Sequence, residues 1–493
     1  MNYRRILLKR YEIILKYTAS ICFLLGISFL LPLITLIFYS GQGPYYEYFL
    51  YPGLSLAVIG IIAHYIISKS VEGVTLKLKE GGVIVILSWL IAIFASALPF
   101  IFGLNMSFTH GMFESVSGWT TTGLSVVTES ETPRIFLLWR SLMQFMGGAG
   151  LAVIALSSIL PLQGMGLYMA EGRDDKLMPH VKKSTKIILY IYLSYTIVGT
   201  VLYKFFGMNW FDAINHAMAA LSTGGFSTRG ASIGYWNNLN IEIVTVFLMF
   251  AGTVNFATNF TLLKGKVKSF FKNSEIKMMG MLLLISIPLL SFLALRSTSA
   301  LLPEAVREIS FQLISALSTT GFGTVSISSL ILPVIFVIII FMIIGGGIGS
   351  TAGGIKQYRI FIMLKSIYWR IKSQFQSEHQ IKENYIYKAE NRIYISSDNI
   401  SKIASFIALY LLTYSIGVFI FLAHDYSLIK SCFEFASAQG TVGLSMGITS
   451  AKAPNTILWT EIGGMFLGRL EFFIVFYTIV KIIDDINYMI MEK

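Results

Sequence analysis

The sequence predicts an all-α polytopic membrane protein in which four similar units surround one central pore, each unit being span, pore helix, filter loop and span. Two observations predict this architecture. Of 493 residues, 55% are hydrophobic and 13% are charged, with a mean hydropathy of +0.69, whereas soluble domains carry about a quarter charged residues. A five-residue phrase also occurs four times, each time between two apolar stretches long enough to span a bilayer. Such repetition indicates one supersecondary unit built several times.

The repeated phrase has the pattern Thr-x-Gly-(Leu/Phe)-(Ser/Gly), and its copies start 102, 96 and 122 residues apart. One copy would be weak evidence, because short Thr/Gly patterns are common in turns. Four copies, each after a half-length apolar stretch, favour a shared role. The candidate filter positions are Thr121, Thr122, Gly123, Thr223, Gly224, Gly225, Thr319, Thr320, Gly321, Thr441, Val442 and Gly443.

The residues before each phrase align as well. Phe113, Phe311 and Phe433 stand eight residues before their Thr. The next position is Glu114, Gln312 or Glu434, and the second copy has Asn215 and His216 at these two places. Shared positions outside the phrase make coincidence a poor explanation. The four copies are therefore expected to close one ring.

In chain order, residues 1–80 form a segment with two apolar spans, at 18–40 and 48–68. The four units follow at 81–163, 164–264, 265–365 and 403–493. Their first spans are expected at about 82–102, 185–206, 278–296 and 403–423, and their second spans at about 134–160, 240–263, from 330, and 455–482. Residues 366–402 form a cytoplasmic connection, since the polar segment 356–402 is too short to bury its own core. The total is ten spans and four re-entrant half-helices.

The formal charge of +12 could suggest a nucleic-acid partner, but the position of the charges argues against one. Of 38 Lys and Arg residues, 29 fall in one alternate set of loops and tails. That asymmetry predicts topology, with both termini of a multi-pass protein in the cytoplasm. The basic N-terminus precedes a long apolar run without a cleavage pattern, which indicates a retained span. Cys22 and Cys432 have neither metal-ligand spacing nor a disulfide framework.

The chemistry of the phrase favours a potassium site. A cation leaving water must have its hydration oxygens replaced, and four re-entrant loops of backbone carbonyls do this for K⁺. Gly permits the unusual φ that turns carbonyls toward one axis, where a Cβ would obstruct. The C-terminal end of each short helix also favours a cation. K⁺, with Rb⁺ as its surrogate, is thus the expected permeant ion, bound by filter carbonyls without a covalently bound cofactor.

A second candidate site is a glycine-rich run at 345–356. This density of Gly cannot form a stable straight helix, so the second span of the third unit is expected to be interrupted there. A close-packed crossing of small residues is the alternative. The lysine of a phosphate loop has no Gly-Lys-Ser/Thr context here, so nucleotide binding is not expected. The candidate residues of this second site are Gly345, Gly346, Gly347, Gly349, Ser350, Thr351, Ala352, Gly353, Gly354 and Lys356.

Arg469 lies in the last span, where an arginine is costly unless it is paired or faces water, so it is a functional candidate. A structural pair with Glu471 or a snorkelling helix-end side chain is the alternative reading. Arg140 is a weaker functional candidate, with a structural salt bridge or a snorkelling side chain as its two alternatives. His216 could sense pH or could be a satisfied polar residue behind a pore helix. Glu114 and Glu434 could brace the pore helices or draw cations to the mouth.

With these motifs, the chain resembles the bacterial potassium-uptake proteins of the TrkH/TrkG type, in the superfamily that also holds KtrB and the plant HKT transporters. The resemblance covers essentially the whole chain, and the two leading spans look like TrkH/TrkG rather than eight-span KtrB. It implies that 345–356 is an intramembrane gating loop, a name we keep for this run, and that Arg469 is the pore-facing arginine below the filter. Gly123 favours potassium over sodium. The resemblance also implies a homodimer in the bacterial cytoplasmic (inner) membrane, surrounding membrane lipid, and a cytoplasmic TrkA-type ring that senses nucleotide in place of this chain.

Three other functions were weighed. Sodium-coupled K⁺ uptake of the KtrB type is the alternative within this class. An integral-membrane enzyme with a lipid-facing cavity would need catalytic polar residues at one depth, and HExxH, Walker A and paired-Cys motifs are missing from the sequence. A carrier with a midplane site would show inverted repeats, whereas these units all begin on the cytoplasmic side. We therefore expect a permeation subunit, not an enzyme.

Overall fold

The computed structural model describes residues 3–68, 78–150, 181–297, 301–375, 384–388 and 391–491. The described chain is helical apart from one small hairpin. Most of the two predicted cytoplasmic loops at 69–79 and 164–183 lies outside the described residues. So do the last part of the predicted span 134–160 and part of the predicted connection 366–402.

The N-terminal segment forms a tightly packed helical pair. Helix α1 (Tyr3–Ser28) is followed by a short 3₁₀ turn and α2 (Thr35–Phe38), and α3 (Glu47–Ser68) returns against α1. The two long helices approach at glycines: a Cβ added at Gly26 would stand 2.5 Å from the backbone nitrogen of Ala57. Small residues allow such close approach of helix backbones in membranes. The pair matches the two predicted leading spans, with α1 starting well before residue 18.

Each of the following units has a long helix, then a short buried helix, and then a second helix, and this second helix is interrupted in the second, third and fourth units. Long apolar stretches supply the first helix, and the Thr/Gly phrase ends the short one. The first unit has α4 (Leu78–Leu98), α5 (Phe108–Trp119) and α6 (Arg134–Ala149). The second has α7 (Val181–Phe205), α8 (Trp210–Leu221), α9 (Leu239–Thr253) and α10 (Phe256–Leu263). The third has α11 (Val267–Lys272), α12 (Ser274–Ser297), α13 (Leu302–Leu317) and α14 (Leu332–Ile344). The fourth has α16 (Ser397–Leu422), α17 (Leu428–Gln439), α18 (Asn455–Leu470) and α19 (Phe472–Met491).

Six helical segments among the described residues are long and apolar enough to cross a membrane, and a seventh is obtained if one bent pair is counted as a span. The six include both leading helices and the first helix of every unit. The chain therefore has the helices of a polytopic membrane protein. The ten-span count stays a prediction, because it depends on how the interrupted second helices are counted.

The interruption of the second helices is more general than the sequence indicated. A break was expected only in the third unit, yet α9 and α18 also end midway. α18 ends before Glu471, which has φ +58°. α9 and α10 are bent by 115° around Val254 and Asn255. The predicted spans at 240–263 and 455–482 are thus each divided into two helices.

The connection between the third and fourth units is folded onto the membrane helices. It contains the amphipathic helix α15 (Gln357–Ser373) and an antiparallel hairpin of β1 (Tyr385–Lys388) and β2 (Asn391–Tyr394), with Tyr385 paired to Tyr394. Ile362, Ile386 and Ile403 form a small buried cluster that joins helix, hairpin and α16. The connection buries little on its own, as expected, and uses the start of α16 to complete its core.

Candidate ion-conducting pore

The short helices α5, α8, α13 and α17 correspond to the four predicted pore helices, and we refer to them by that name. Three of them have 12 residues, which is about 18 Å at 1.5 Å per residue and too short for a bilayer. Two of them, α5 and α8, have side-chain caps at their starts: Ser107 Oγ accepts from the backbone nitrogen of His110 at 3.2 Å, and Asn209 Oδ1 accepts from that of Asp212 at 2.8 Å. All four end at a Thr/Gly phrase, so their C-terminal ends converge on the phrases.

The backbone of the four phrases is nearly the same. The first Thr is left-handed in every copy, with φ between 51° and 56°. The Gly has φ +91°, +74°, +81° and +100° in chain order. A left-handed Thr is uncommon, so its occurrence at four equivalent sites is strong evidence of one repeated loop. In each copy the nitrogen of the middle residue donates to the helix residue five positions earlier, at 2.8–3.0 Å (Thr122 to Ser117, Gly224 to Ala219, Thr320 to Ser315, Val442 to Ser437).

The four phrases meet in a closed ring. A Cβ added to any filter Gly would overlap the carbonyl oxygen of the middle residue in the next phrase. The pairs run once around the ring, namely Gly123 with Gly224, Gly225 with Thr320, Gly321 with Val442 and Gly443 with Thr122. The four units are therefore arranged in chain order about one axis, and the phrase of the fourth unit contacts that of the first. The Gly requirement is twofold, because both the positive φ and the approaching carbonyl exclude a side chain.

Hydroxyls of the pore helices fasten three of the phrases. Ser117 Oγ donates to the carbonyl of Leu124 at 2.6 Å, and Ser315 Oγ donates to that of Phe322 at 2.7 Å. In the fourth unit Ser437 Oγ accepts from the nitrogen of Gly443 at 3.0 Å. Ala219 stands at this position in the second unit, so its phrase needs another support.

Gln144 of α6 provides that support. Its side chain is fully buried and fills the space that a side chain at Gly224 would occupy. Its Nε2 lies 2.5 Å from the carbonyl oxygen of Gly224, and its Oε1 accepts from the nitrogen of Phe226 at 3.1 Å. The second phrase is thus held by a residue of the first unit, 80 positions away.

The side chain seven residues before the first Thr of each phrase forms hydrogen bonds with residues at or just after the end of that phrase. Glu114 Oε1 accepts from Ser125 Oγ and from the nitrogen of Val126, both at 2.7 Å. Glu434 Oε1 accepts from Ser445 Oγ at 2.7 Å and from the nitrogen of Ile448 at 2.8 Å. Both carboxylates are fully buried. This geometry fits the bracing alternative for the two glutamates rather than a role at the open mouth.

His216 takes the same place in the second unit. Its Nδ1 lies 2.7 Å from the carbonyl oxygen of Asp212, and its Nε2 lies 3.0 Å from Ser227 Oγ. Because a carbonyl only accepts, Nδ1 carries the hydrogen and Nε2 accepts from the serine. Both ring nitrogens of this fully buried side chain are therefore used in bracing. In the third unit Gln312 Nε2 donates to the carbonyl of Val325 at 3.3 Å.

Arg140 is part of the same support. It is 1% exposed, and its Nε donates to Glu114 Oε2 at 3.1 Å. Its Nη2 donates to Ser125 Oγ at 2.8 Å, and its guanidinium lies 3.9 Å from the ring centre of Phe226. The buried ion pair thus joins the first and second phrases. This is the structural salt bridge that the sequence left as one of two possibilities.

The gating loop leaves α14 at Gly345, which has φ +70°, and returns beside its own start. The nitrogen of Lys356 donates to the carbonyl of Ile344 at 2.9 Å, and Gln357 nitrogen donates to that of Gly346 at 2.8 Å. Lys356 is buried, and its Nζ donates to the carbonyl of Ala352 inside the loop. The expected interruption of the helix at the glycine run is confirmed in this geometry.

The tip of the gating loop lies against the filter phrases. Gly353 nitrogen donates to Thr319 Oγ1 at 2.8 Å, and the hydroxyls of Thr223 and Thr351 are 3.1 Å apart. The hydroxyls of Thr121 and Thr441 are buried without a hydrogen-bond partner among the described residues. The loop therefore occupies the entrance to the ring formed by the first Thr of each phrase.

Arg469 fixes the loop from the fourth unit. Its Nη1 donates to the carbonyl of Thr351 at 2.8 Å, and its Nη2 donates to that of Gly147 at 2.6 Å. Glu471, at the break after α18, pairs with Arg359 of α15 at 2.6 Å. The guanidinium of Arg469 thus donates hydrogen bonds to backbone carbonyls of both the first and the third unit.

Comparison with known proteins agrees with this geometry. A sequence profile of TrkH, described as a cation transport protein, matches residues 56–488. The chain belongs to the TrkH family of cation transport proteins. It is 32% identical over 420 residues to the Trk system potassium uptake protein TrkH of Escherichia coli, covering 81% of this chain and 84% of that protein. It is 30% identical over 480 residues to an uncharacterized cation transporter of Methanocaldococcus jannaschii, covering 96% of each.

A solved structure resembles this TrkH-family chain along most of its length. The crystal structure of the potassium transporter TrkH from Vibrio parahaemolyticus superimposes with a TM-score of 0.81 at 26% identity, covering 94% of this chain and 98% of that one. The resemblance inferred from the motifs is therefore confirmed. Family membership also confirms that the chain is a membrane transporter rather than an enzyme, and the described residues hold no cluster of potential metal ligands.

Several supporting residues of this TrkH-family pore were not found from sequence. Asn255 Nδ2 donates to the carbonyl of Ile348 in the gating loop at 2.6 Å, and Glu275 Oε1 accepts from the nitrogen of Ile348 at 2.8 Å. Gln144 and Arg359 were missed as well. The sequence contained one indirect indication of the role of Gln144. The second unit has Ala219 where the other three have Ser, so its phrase lacks the hydroxyl that supports the other three.

Proposed function

We propose that this chain is the pore-forming subunit of a potassium-uptake system and that K⁺ crosses through the ring of filter carbonyls. The closed ring of four phrases carries the proposal. Backbone carbonyls gathered around one axis can replace the hydration oxygens of K⁺ without fixed charge. The relatives named as potassium-uptake proteins support the choice of ion.

The order of the proposed K⁺ sites along the axis of the ring follows from the same four phrases. Carbonyls of the middle residues and of the filter glycines form the proposed K⁺ sites. The unpartnered hydroxyls of Thr121 and Thr441 are available to a partly dehydrated ion at the loop end of the ring. The C-terminal ends of four pore helices add a negative potential there.

The gating loop and Arg469 are proposed to close this path. The loop contacts the phrases of the second and third units through Thr351 and Gly353, and the positive charge of Arg469 lies beside it. A cation leaving the filter would meet both a backbone obstruction and a like charge. Opening then requires the loop to leave the phrases and Arg469 to give up its bond to Thr351.

The test is growth of a potassium-uptake-deficient bacterium on limiting K⁺, with Rb⁺ and Na⁺ flux measured in parallel. The native chain should rescue growth. Gly321→Ser should weaken the selection of K⁺ over Na⁺, because its Cβ would meet the carbonyl of Val442. Gly43→Ser is the matched control, since a Cβ there has no neighbour within 4 Å and the residue lies far from the ring.

A chain present in the membrane that carries neither K⁺ nor Rb⁺, even with a cytoplasmic partner supplied, would overturn the filter assignment. Equal selection in Gly321→Ser and Gly43→Ser would do the same.

The setting of the proposed pore is the bacterial inner membrane with both termini in the cytoplasm, in line with the distribution of Lys and Arg. A homodimer that docks a TrkA-type nucleotide-sensing ring is the proposed assembly, and its support is family membership. The exposed basic helix α11 and the exposed end of α15 offer surfaces on the expected cytoplasmic face. Co-purification of a TrkA-type protein with the full chain would test the assembly, and a monomer without such a partner would contradict it.

A further inference from the structure

An apolar groove runs along the outer surface where the second and third units meet. It has a volume of 850 Å³ and lies between α7, the bent pair α9 and α10, and α12. Phe247, Phe250, Leu283 and Leu284 are among its walls, and Leu284 is 77% exposed. α7 and α12 are both candidate membrane spans. The groove therefore opens toward the bilayer and not toward the pore.

One end of the groove is basic. Lys277 in the first turn of α12 lines the groove and also lines a larger polar cleft of 1240 Å³. That cleft carries three more cations, Lys365, Arg370 and Lys372. Among the described residues, neither the groove nor the cleft has an Asp or Glu in its lining. An apolar channel that ends at several cations, with no carboxylate in its described lining, is complementary to an amphiphile with an anionic head.

We propose that the groove and the adjoining cleft bind one anionic phospholipid of the leaflet that the basic loops face. Its acyl chain lies along Phe250 and Leu283, and its phosphate lies at Lys277 with Lys365 nearby in the cleft. Burial of an acyl chain contributes about 0.8 kcal/mol per methylene, and basic pockets between membrane helices bind anionic head groups. A free phosphate would lack the apolar half of this site.

The site is connected to the gating loop through its walls. Ile348 in the loop is bonded on both sides, its nitrogen to Glu275 of α12 at 2.8 Å and its carbonyl to Asn255 at the bend of α9 and α10 at 2.6 Å. These two partners belong to the two opposite walls of the groove. A lipid that sets the distance between the walls therefore acts on the peptide groups of Ile348, and regulation of conduction by this route rests on the proposed function.

Binding can be tested without any measurement of transport. The full chain is purified from vesicles of phosphatidylcholine with 30% phosphatidylglycerol, on the order of one anionic lipid in three, and retained lipid is counted by native mass spectrometry. Gly280→Phe should fill the groove and abolish preferential retention of phosphatidylglycerol, because a Cβ at Gly280 has no neighbour within 4 Å. Gly280→Ala is the control of small volume and should retain the lipid.

The charge is tested by Lys277→Gln, which should weaken the preference for phosphatidylglycerol about fivefold, the effect of one cation near an anionic head. Lys268→Gln, on α11 and outside both linings, is the matched control. Added inorganic phosphate should not displace the lipid. Equal retention of the two lipids by the native chain, or retention unchanged in Gly280→Phe, would overturn the proposal.

Rb⁺ flux is then compared in vesicles with and without phosphatidylglycerol. A lipid-dependent flux that is lost in Gly280→Phe but kept in Gly280→Ala would support coupling to the gating loop. Loss of the lipid without a change in flux would refute that coupling. Absence of flux from every vesicle would count against the proposed pore, while the retention measurements would still decide the lipid site.

Discussion

Arg469 Nη1 lies 2.8 Å from the carbonyl oxygen of Thr351, so the last unit of the chain is bonded directly to the tip of the gating loop. Thr351 in turn reaches back across the second unit, since its Oγ1 donates to the carbonyl of Gly252 at 3.0 Å. The loop is therefore held from opposite sides of the ring. Some of the bonds that hold it are made by side chains, such as those of Arg469 and Thr351, and these can be removed separately.

Removing the guanidinium should release the loop. Arg469→Gln is expected to raise the basal Rb⁺ leak of reconstituted protein by about tenfold, because a hydrogen bond from a charged donor contributes about 1.5–3 kcal/mol. Rb⁺ efflux from vesicles without any cytoplasmic partner is the measurement. Arg296→Gln at the exposed end of α12 is the control. A leak that does not differ between the two variants would mean that Arg469 does not hold the loop closed.

Gln144 should matter for ion selection although it lies outside the phrase. Gln144→Met keeps the side-chain volume against Gly224 but removes the bonds to Gly224 and Phe226. The ratio of Rb⁺ to Na⁺ flux is expected to fall by about tenfold, since buried backbone groups lose their partner. Gln374→Met, at the exposed end of α15, should leave the ratio unchanged. If both variants select alike, the second phrase does not depend on its neighbouring unit.

The buried pair of Arg140 and Glu114 should be costly to break. Arg140→Met leaves a buried carboxylate uncompensated and is expected to destabilise the protein by about 3–5 kcal/mol. Thermal unfolding in detergent, followed by size-exclusion chromatography, measures this. Adding Glu114→Gln to Arg140→Met should recover part of the loss. Lys402→Met, which breaks a pair about 70% exposed on both sides (71% and 69%), should change stability by less than about 0.5 kcal/mol. Similar melting of Arg140→Met and Lys402→Met would contradict the assignment.

Glu434 distinguishes bracing from electrostatic attraction. If its oxygens serve as acceptors for Ser445 and Ile448, Glu434→Gln should keep most of the Rb⁺ flux, because one amide oxygen still accepts, and Glu434→Ala should lose it. If the charge draws cations, both variants should lose flux equally, and the loss should shrink at high salt. Flux measured at low and high ionic strength separates the two results, and bracing is expected.

The local sequence pattern was sufficient to predict the elements that occur in every unit. Thr-x-Gly appears at four aligned sites, and the position of Glu114, Gln312 and Glu434 was visible before any contact was known. Gln144 and Asn255 were not predictable, because each bonds a residue 80 or more positions away and neither lies in a motif. The break at Glu471 gave no local signal either, since glutamate is not a residue type that favours positive φ. Its conformation accompanies an ion pair with Arg359 that exists only in the folded chain.

The closed ring has a consequence for how such a pore can change over generations. In a pore made of four identical chains, one substitution changes all four quarters of the ring. Here each quarter, or quadrant, is formed by a different phrase of one chain, so a substitution changes one quadrant alone. Gly224 with its borrowed glutamine, and Val442 where two other quadrants have Thr, are already such single-quadrant differences. The atoms nearest to a Cβ added at each filter Gly belong to the next phrase in the ring. A side chain introduced in one quadrant would therefore first displace the backbone of one neighbouring quadrant. Under the proposed function, ion preference can therefore be adjusted one quadrant at a time.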